Sequence, residues 1–330
     1  MKIAVLGGGA WGSALAAVWS EAHNVRLWAR DPAQAQQMSA RRVNERYLPQ
    51  LKLPDAIAVS GDLARTLSDA ELAILAMPST GLRAVLRQLA GNTHAPLLWL
   101  CKGFEPDSVK LPHQVVAEEL ADARRCGVLS GPSFAEEVGR GLPAAVIIAS
   151  ADASFAEASA RALRTPRLRI YSSTDVIGVE IGGAVKNVIA IATGISDGLG
   201  LGQSARAALV TRGLAELTRL GVRMGGRQET FMGLSGAGDL MLTCHGNLSR
   251  NRRVGLKLAE GLRLDTVLAE LGHVAEGVHT AREVRRLAAT LQVDMPITDV
   301  VCRVLFEALP ARQAVEELLR RDTKSEIRGA

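Results

Sequence analysis

Three glycines near the amino terminus constrain the fold of this chain more than any other feature. The segment "GGGAWG" places Gly7, Gly9 and Gly12 in a G-x-G-x-x-G pattern, after the strand-like run "KIAVL" and before the helix-like run "SALAAVWSEA". In such a unit the first glycine permits a tight turn, the second lets the backbone approach a pyrophosphate, and the third lets helix and strand pack closely. The helix N-terminus offers free N–H groups to the phosphates. Glycine turns are common, but these flanks favour a dinucleotide site.

The first half of the chain alternates strand-like and helix-like runs. The runs with strand character, up to about Tyr171, are "KIAVLG", "NVRLWA", "AIAV", "LAILAM", "PLLWLC", "CGVLS", "AAVIIA" and "LRIY". Most are continuously apolar rather than alternating, which is typical of strands covered by helices on both faces. The predicted fold is therefore α/β, with an N-terminal Rossmann-like, mostly parallel, doubly wound sheet.

Strand signals nearly vanish after about Asp175, where long segments with helical spacing follow. We therefore expect an all-α C-terminal domain, with a dinucleotide-binding domain at residues 1–178 and a helical substrate-binding domain at residues 179–330. Within the second domain, "LSGAGDLMLTCHGNLSRNRRVG" is expected to be a poor helix because of its glycines. It displays polar side chains that suit a ligand site: Asp239, Thr243, Ser249, Arg250 and Asn251.

Composition limits the classes of partner. Lys and Arg number 39 against 34 Asp and Glu, a net charge of +5 that suits anionic substrates as readily as nucleic acid. Aromatic residues make up only 3%, which argues against base-stacking platforms and so against nucleic-acid binding. The four cysteines have no metal-ligand spacing, which predicts reduced thiols, no metal site and a cytoplasmic protein. Glycines interrupt the apolar start, so we expect neither a signal peptide nor membrane insertion.

The end of the second predicted strand bears on the choice of cofactor. Arg30 could pair with the 2′-phosphate of NADP, whereas an acid such as Asp31 could accept a hydrogen bond from the ribose of NAD. Asp31 precedes Pro32, so it could instead be the N-cap of a helix. We expect NADPH to be preferred or well accepted, with NADH also used.

Three segments of unusual composition follow neighbouring predicted strands: "MPST", "CKGFE" and "SGPSF". The carboxyl ends of strands in an open α/β sheet border the ligand crevice, so these segments should line one site. Lys102, in "CKGFE", could be a surface cation reaching out to water. Its position beside the cofactor crevice favours contact with a ligand instead.

The run "EIGGAVKNVIAIATGIS", residues 180–196, contains a single cation, Lys186. On a helix this lysine shares a face with small residues that would leave room for a ligand: Gly182, Gly183, Ala190 and Thr193. Burial would lower the pKa of the ammonium and a nearby anion would raise it, a balance that suits a proton donor to a carbonyl oxygen. The alternative is a lysine at a helix edge, paired with Glu180 or with water.

The arginines of "SRNRRVG" allow two interpretations. Arg250 with Asn251 could clamp a phosphate, because a guanidinium offers paired donors in a fixed fork. A run containing Arg250, Arg252 and Arg253 is otherwise a solvated face or, less often, a nucleic-acid patch. The glycine-rich context favours the phosphate-binding interpretation.

Taken together, the motifs make the chain closely resemble the NAD(P)-dependent glycerol-3-phosphate dehydrogenases of bacterial type along essentially its whole length. These motifs are "GGGAWG", "NERYLP", "CKGFE", "SGPSFAEEV", "GGAVKNVIAI", "TRGLAE", "GLSGAGDLMLTC", "SRNRRVG", "VAEGVHT" and "MPIT". The resemblance implies reversible reduction of dihydroxyacetone phosphate by NADPH or NADH to sn-glycerol 3-phosphate, which supplies glycerophospholipid synthesis. It is also compatible with a homodimer.

The resemblance also implies roles for individual residues. Along the cofactor it places, besides the glycines, Trp11, Arg30, Tyr47, Lys102, Ala135, Arg250, Val274 and Glu276. As substrate contacts it implies Lys102, Gly131, Ser133, Lys186, Asp239, Ser249, Arg250 and Asn251. Lys186 matches the lysine that transfers the proton, supported in catalysis by Lys102, Asp239 and Thr243.

Two positions depart from the family pattern. Cys101 stands where a threonine is common, and Ser204 replaces a usual asparagine, although Ser204 can still cap the helix after it. The sequence disfavours three other functions. A two-domain β-hydroxy acid dehydrogenase is disfavoured by "SRN", which suggests a phosphate. A non-catalytic NAD(P)H-binding regulator has no need of Lys102, Lys186 and Asp239 together, and nucleic-acid binding is disfavoured by the low aromatic content.

Overall fold

The computed structural model describes residues 1–92, 94–120, 125–271 and 275–320, so Val274 lies outside the described residues. The strands are β1 (Lys2–Leu6), β2 (Asn24–Trp28), β3 (Val43–Asn44), β4 (Leu48–Lys52), β5 (Ala58–Ser60), β6 (Leu72–Leu75), β7 (Leu97–Trp99), β8 (Cys126–Ser130), β9 (Ala144–Ala149) and β10 (Leu168–Ser173). The helices that alternate with them are α1 (Ala10–Trp19), α2 (Pro32–Arg41), α3 (Leu63–Leu67), α4 (Ser79–Leu89), α5 (Pro112–Glu119), α6 (Ala135–Gly139) and α7 (Ala153–Leu163).

After β10, all the regular elements of the described residues are helices. The α-helices are α8 (Val176–Gly198), α9 (Gly202–Arg223), α10 (Gln228–Met232), α11 (Asp239–His245), α12 (Arg250–Ala259), α13 (Leu264–Leu271), α14 (Glu276–Leu291), α15 (Pro296–Phe306) and α16 (Ala311–Leu319). A π-helical turn, Leu234–Gly238, leads directly into α11. The predicted helical C-terminal part is confirmed. The proposed division between residues 178 and 179 falls in the first turn of α8 and stays a prediction.

Eight strands form one sheet in the order β10-β9-β8-β7-β6-β1-β2-β5. Neighbouring strands are parallel except for the antiparallel pair β8 and β9. All eight apolar runs identified in the sequence are strands of this sheet, so the mostly parallel Rossmann-like fold is confirmed. The carboxyl ends of β6, β7 and β8 lie side by side, and the segments that contain Lys102 and Gly131 begin there.

The continuous apolar character of the strands follows from helices on both faces of the sheet. Along β1, Ile3 and Val5 pack into one core cluster, whereas Ala4 and Leu6 pack into another. Successive side chains of a strand point to opposite faces, and both faces of β1 are therefore buried.

Helix α8 is the central element of the helical half. Asp175 caps its start: the carboxylate accepts hydrogen bonds from the Gly178 N–H at 2.9 Å, the Arg227 N–H at 2.8 Å and the Thr230 hydroxyl at 2.6 Å. Residues 178–196 are all buried. Among the described residues α8 alone has the length and composition to cross a membrane, but 89% of its apolar window is buried inside the protein. Such burial is typical of a core helix.

Three local expectations are wrong or incomplete. The segment expected to be a poor helix forms the π-helical turn, α11 and the start of α12, because tertiary packing outweighs low helix propensity. At Gly236, for example, any Cβ would overlap the main chain of Phe231. Ser204 is not an N-cap, since α9 begins at Gly202 after Leu201. The antiparallel pair β3 and β4, which contains "NERYLP", was not predicted.

Candidate active site

The glycine turn has the geometry that a bound dinucleotide requires. Gly7 has φ +134°, and a Cβ there would overlap the Ala76 carbonyl, while a Cβ on Gly12 would overlap the Gly7 carbonyl. Gly9 instead borders open space, with nothing within 4 Å of a Cβ built on it. Gly9 is also the N-cap of α1 and supplies no side-chain cap, so the first N–H groups of α1 remain available to an anion. These features fit a dinucleotide pyrophosphate.

Two amide side chains brace this turn. Asn44 is fully buried, and its Nδ2 donates to the Gly8 carbonyl at 3.0 Å and to the Ser13 hydroxyl at 2.8 Å. Gln34 Nε2 donates to the same carbonyl at 2.8 Å. Sequence reasoning missed both residues, although Asn44 belongs to "NERYLP", the motif from which only Tyr47 was selected. The Gly8 carbonyl is thus fixed by α2 and β3.

The other residues assigned to the cofactor come from elements around the turn. Trp11 is partly buried against the core in α1, and Ala135 begins α6, which packs on α1. Tyr47 follows β3, with its ring 5.1 Å from the guanidinium carbon of Arg46. Arg30 is exposed after β2. The Asp31 carboxylate accepts a hydrogen bond from the Ala33 N–H at 2.9 Å, which is the helix-capping alternative considered for it.

Two lysines meet at one buried carboxylate. Asp239, only 1% exposed, accepts a short hydrogen bond from Lys186 Nζ on one oxygen, and one from Lys102 Nζ at 2.6 Å on the other. Lys102 also lies 3.3 Å from the Gly131 carbonyl, which it reaches as a donor. The Thr243 hydroxyl donates to the Asp239 main-chain carbonyl at 2.6 Å. The fold therefore brings these five residues together from the ends of β7 and β8 and from α8 and α11.

Lys186 does not have the partners of the alternative interpretation. Its side chain is 8% exposed and pairs with Asp239. Glu180 instead accepts hydrogen bonds from Trp99 Nε1 at 2.8 Å and from the His113 N–H at 2.9 Å. The edge-lysine alternative is therefore wrong.

The two glycines beside Lys186 face protein atoms, so the room for a ligand that was expected at Gly182 and Gly183 is taken by the protein itself. A Cβ on Gly182 would overlap the Ser235 carbonyl, which belongs to the π-helical turn. A Cβ on Gly183 would lie 2.9 Å from the Ser130 hydroxyl and 3.4 Å from Cγ of Lys102. The two glycines let the π-helical turn and the Lys102 stem approach α8, and this approach joins both lysines to Asp239.

The charges at this centre act strongly on one another because they are buried. Burial lowers the pKa of the Lys186 ammonium to about 8; the Asp239 carboxylate opposes this effect, and the Lys102 cation adds to it. Burial raises the pKa of Glu276, against the attraction of Arg250, Lys102 and Lys186. With two ammonium groups on one carboxylate, the centre can accept an anionic ligand.

The segment assigned to a phosphate begins α12. Ser249 is the N-cap, and its hydroxyl accepts a hydrogen bond from the Arg252 N–H at 3.3 Å. Arg250, the first helical residue, is exposed. Asn251 is 8% exposed, and its Oδ1 accepts a hydrogen bond from the Gly277 N–H at 3.0 Å. The start of α12 is thereby held against the start of α14, and a helix N-terminus with an adjacent arginine suits a phosphate.

The loop after β8 lies beside Lys102. Ser133 Oγ donates to the Gly131 carbonyl at 3.1 Å, the same carbonyl that Lys102 reaches.

Among the described residues no group of three or more His, Cys, Asp or Glu side chains could hold a metal ion.

Comparisons with known proteins give one consistent result. Two family models match the chain: the NAD-dependent glycerol-3-phosphate dehydrogenase N-terminus at residues 2–156 and its C-terminus at residues 175–316. The chain is 59% identical over 328 residues to glycerol-3-phosphate dehydrogenase (NAD(P)+) of Thiobacillus denitrificans, covering 99% of this chain and 100% of that protein. It is 56% identical over 332 residues to the Nitrosospira multiformis protein of the same name, covering 99% and 100%.

A solved structure agrees with these sequence matches. The crystal structure of glycerol-3-phosphate dehydrogenase from Coxiella burnetii superposes with a TM-score of 0.93 at 43% identity, covering 97% of this chain and 98% of that one. The likeness therefore extends over both the sheet and the helical half.

Proposed function

The chain belongs to the NAD-dependent glycerol-3-phosphate dehydrogenase family, and from this premise we propose that Lys186 is the general acid in its reduction of dihydroxyacetone phosphate to sn-glycerol 3-phosphate. The enzyme uses NAD(P), and when bound the reduced cofactor supplies the hydride. The observation that carries the proposal is the buried carboxylate of Asp239 shared by Lys186 and Lys102.

Lys186 suits proton transfer near neutral pH. With a pKa lowered to about 8 it is mostly an ammonium at pH 7, yet it gives up its proton more readily than an exposed lysine. It donates that proton to the alkoxide that forms on the ketone oxygen, and in the reverse direction the amine accepts the proton. General acid catalysis of this kind contributes on the order of 10² to 10⁴-fold.

The neighbouring residues hold Lys186 and the substrate. Asp239 orients both ammonium groups, Lys102 contacts the substrate oxygen atoms, and Thr243 fixes the turn of α11 that carries Asp239. Gly131 and Ser133 line the substrate on the β8 side. The Asp239 carboxylate accepts one charge-assisted hydrogen bond from each lysine, so the three groups keep their geometry with little reorganisation during the reaction.

The phosphate of the substrate binds at the start of α12, through Ser249, Arg250 and Asn251. Support comes from the capped helix N-terminus, the exposed Arg250 and the fixed Asn251. Binding energy from this remote group orients the ketone carbon for reaction.

The cofactor lies along the glycine turn. Gly7, Gly9 and Gly12 admit its pyrophosphate, and the other contacts are Trp11, Arg30, Tyr47, Lys102, Ala135, Arg250 and Glu276. NADPH is the preferred or well-accepted form, because exposed Arg30 is available to a 2′-phosphate while Asp31 is engaged in capping α2.

The same proposal extends to the setting of the enzyme. It works in the cytoplasm without membrane insertion, as a homodimer, and its product supplies glycerophospholipid synthesis. The burial of α8 and the buried thiols of Cys101, Cys244 and Cys302 support the first point. Large apolar side chains exposed on the helical half, among them Met232, Met241 and Leu248, support self-association.

Replacement of Lys186 tests the central role. Lys186→Ala should lower turnover of dihydroxyacetone phosphate by about 10² or more, since the proton donor is lost. Cofactor oxidation is followed at 340 nm, with NADPH and then NADH, and NADPH affinity is measured by fluorescence titration, which should stay within about twofold. Lys257→Ala, on α12 and paired with Glu270, is the matched lysine control. Near-normal turnover of Lys186→Ala would remove the lysine from the mechanism.

A further inference from the structure

Helix α12, which begins with the proposed phosphate contacts, lies directly on α8. A Cβ on Gly194 of α8 would overlap the Arg252 carbonyl, and a Cβ on Gly255 of α12 would overlap the Ile191 carbonyl. The backbones of the two helices therefore touch without side chains between them. Any shift of α12 relative to α8 changes the distance between the phosphate contacts and Lys186, which α8 carries.

A buried carboxylate fastens the two helices at this crossing. Asp197, near the end of α8, accepts hydrogen bonds from Arg252 Nε at 2.8 Å and from Arg206 Nε at 2.6 Å, and Arg252 Nη2 lies 2.7 Å from the carboxylate oxygen that Nε reaches. The Asp197 and Arg252 side chains are 6% and 12% exposed. Such paired, charge-assisted bonds give geometric specificity as well as energy.

Arg252 also holds the loop that precedes its own helix. Its Nη1 donates to Oδ1 of Asn247 at 3.1 Å, while its main-chain N–H donates to the Ser249 cap at 3.3 Å. One residue thus connects the end of α8, the loop before α12 and the first turn of α12. The guanidinium points to Asp197, so Arg252 is engaged inside the protein, whereas Arg250 two residues earlier is exposed.

We propose that Arg252 and Asp197 are positioning residues that set the distance between the phosphate contacts and Lys186. The inference rests on the proposed role of α12 in binding the substrate phosphate. Arg252 acts through Ser249, Arg250 and Asn251, and does not itself contact the substrate. A misplacement of about 1 Å can cost about 10²-fold in rate even when it arises away from the chemistry.

The positioning role predicts that replacing Arg252 affects the kinetics of phosphorylated and unphosphorylated substrates differently. Arg252→Gln should raise KM for dihydroxyacetone phosphate by about tenfold or more, with a smaller change in kcat, because the phosphate contacts are no longer held in place. For dihydroxyacetone, which has no phosphate, kcat/KM should stay within about twofold. KM for NADPH should change less than KM for dihydroxyacetone phosphate, because Arg250 is only one of many cofactor contacts. Arg252→Lys should recover part of the loss because it keeps one donor for Asp197.

The control is Arg253→Gln, an exposed arginine at the next position of α12. It removes the same charge and should leave all these constants near the wild-type values. Thermal unfolding is measured for each variant. If Arg252→Gln does not fold, Asp197→Asn takes its place, with the same expected result: a raised KM for dihydroxyacetone phosphate and a near-normal kcat/KM for dihydroxyacetone. Equal losses on both ketones, or an unchanged KM for dihydroxyacetone phosphate, would overturn the positioning role.

Failure of this inference can be told apart from failure of the proposed function. If Arg250→Gln raises KM for dihydroxyacetone phosphate but Arg252→Gln does not, the phosphate contacts stand and the positioning role is refuted. If the wild-type protein does not oxidise NADPH with dihydroxyacetone phosphate, the proposed reaction is refuted. If Arg250→Gln leaves KM for dihydroxyacetone phosphate unchanged, the proposed phosphate contacts are refuted. In either case the positioning role is refuted as well.

Discussion

Lys186 and Lys102 share Asp239, and this sharing sets their properties. An isolated buried ammonium would lose its proton, and two close ammonium groups would repel each other. The carboxylate, 1% exposed, lies against both ammonium groups and compensates both charges. Loss of Asp239 would leave the buried Lys186 ammonium without its carboxylate and Lys102 with only the Gly131 carbonyl, which is far more damaging than loss of an exposed charge.

Asn44 shows how a residue without a chemical role can support cofactor binding. Asn44→Ala removes one of two donors to the Gly8 carbonyl and leaves the Ser13 hydroxyl without its partner. We expect NADPH affinity to fall about tenfold, the size of a lost buried hydrogen bond with its unpaired group. A fluorescence titration measures it, with the exposed Asn92→Ala as control. Unchanged affinity would mean that Gln34 alone fixes the turn.

At the level of residues, the sequence was sufficient to identify candidate functional side chains, but not the residues with which those side chains form hydrogen bonds. Lys186 stood out as the lone cation of an apolar run, but the run itself offered only Glu180 or water as a partner, and Asp239 was implied only by the family resemblance. The actual partner, Asp239, is 53 positions further along the chain. That contact depends on how α11 packs on α8, which no local pattern encodes. Arg252 was grouped with Arg250 because they are close in sequence, although Arg252 is bound to Asp197 inside the protein.

Helix α9 supports the helical half through one buried acid. Glu216, 1% exposed, accepts hydrogen bonds from the Ile297 N–H at 2.6 Å and the Thr298 N–H at 3.3 Å, at the start of α15. Burial raises the pKa of Glu216 from 4.5 to about 7 despite these donors. The stability that this group contributes is therefore fully present below pH 4.5 and is lost as pH rises through about 7.

Glu216→Gln tests this dependence, since glutamine resembles the protonated acid. Relative to the wild type, the variant should gain about 1–3 kcal/mol in free energy of unfolding between pH 5 and pH 8, because only the wild type acquires a buried charge. Denaturant unfolding at both pH values measures the change, with the exposed Glu260→Gln as control. A stability difference that is the same at both pH values would contradict the raised pKa.

At the level of elements, the strands of the main sheet were predictable because most of them are continuous apolar runs, and the central ones are covered on both faces. The π-helical turn and the β3–β4 pair were not, because both depend on distant contacts. The turn packs against Gly182 of α8, and Asn44 of β3 is held by the glycine turn. Low helix propensity in the 234–255 segment was a poor guide, since glycines there serve close backbone packing.

For the whole molecule, the proposed reaction centre is assembled from both halves of the chain. The sheet supplies Lys102 and the Gly131 carbonyl, and the helical half supplies Lys186, Asp239 and Arg250. Glu180 connects the two halves near this centre. It lies on α8, the helix that carries Lys186, and it accepts a hydrogen bond from Trp99 at the end of β7, three positions before Lys102. Composition and motif order were sufficient to identify the family, while the geometry of the centre required the packed structure.

The pH dependence of both reaction directions tests the central claim most directly. If Lys186 is the proton donor, kcat/KM for dihydroxyacetone phosphate with saturating NADPH should be level below pH about 8 and fall above it, as the ammonium is lost. Oxidation of glycerol 3-phosphate needs the neutral amine, so its kcat/KM should rise through the same pH. Opposite limbs with one shared pKa, both absent in Lys186→Ala, are the predicted result. Limbs of the same direction, or limbs that persist without Lys186, would contradict the account.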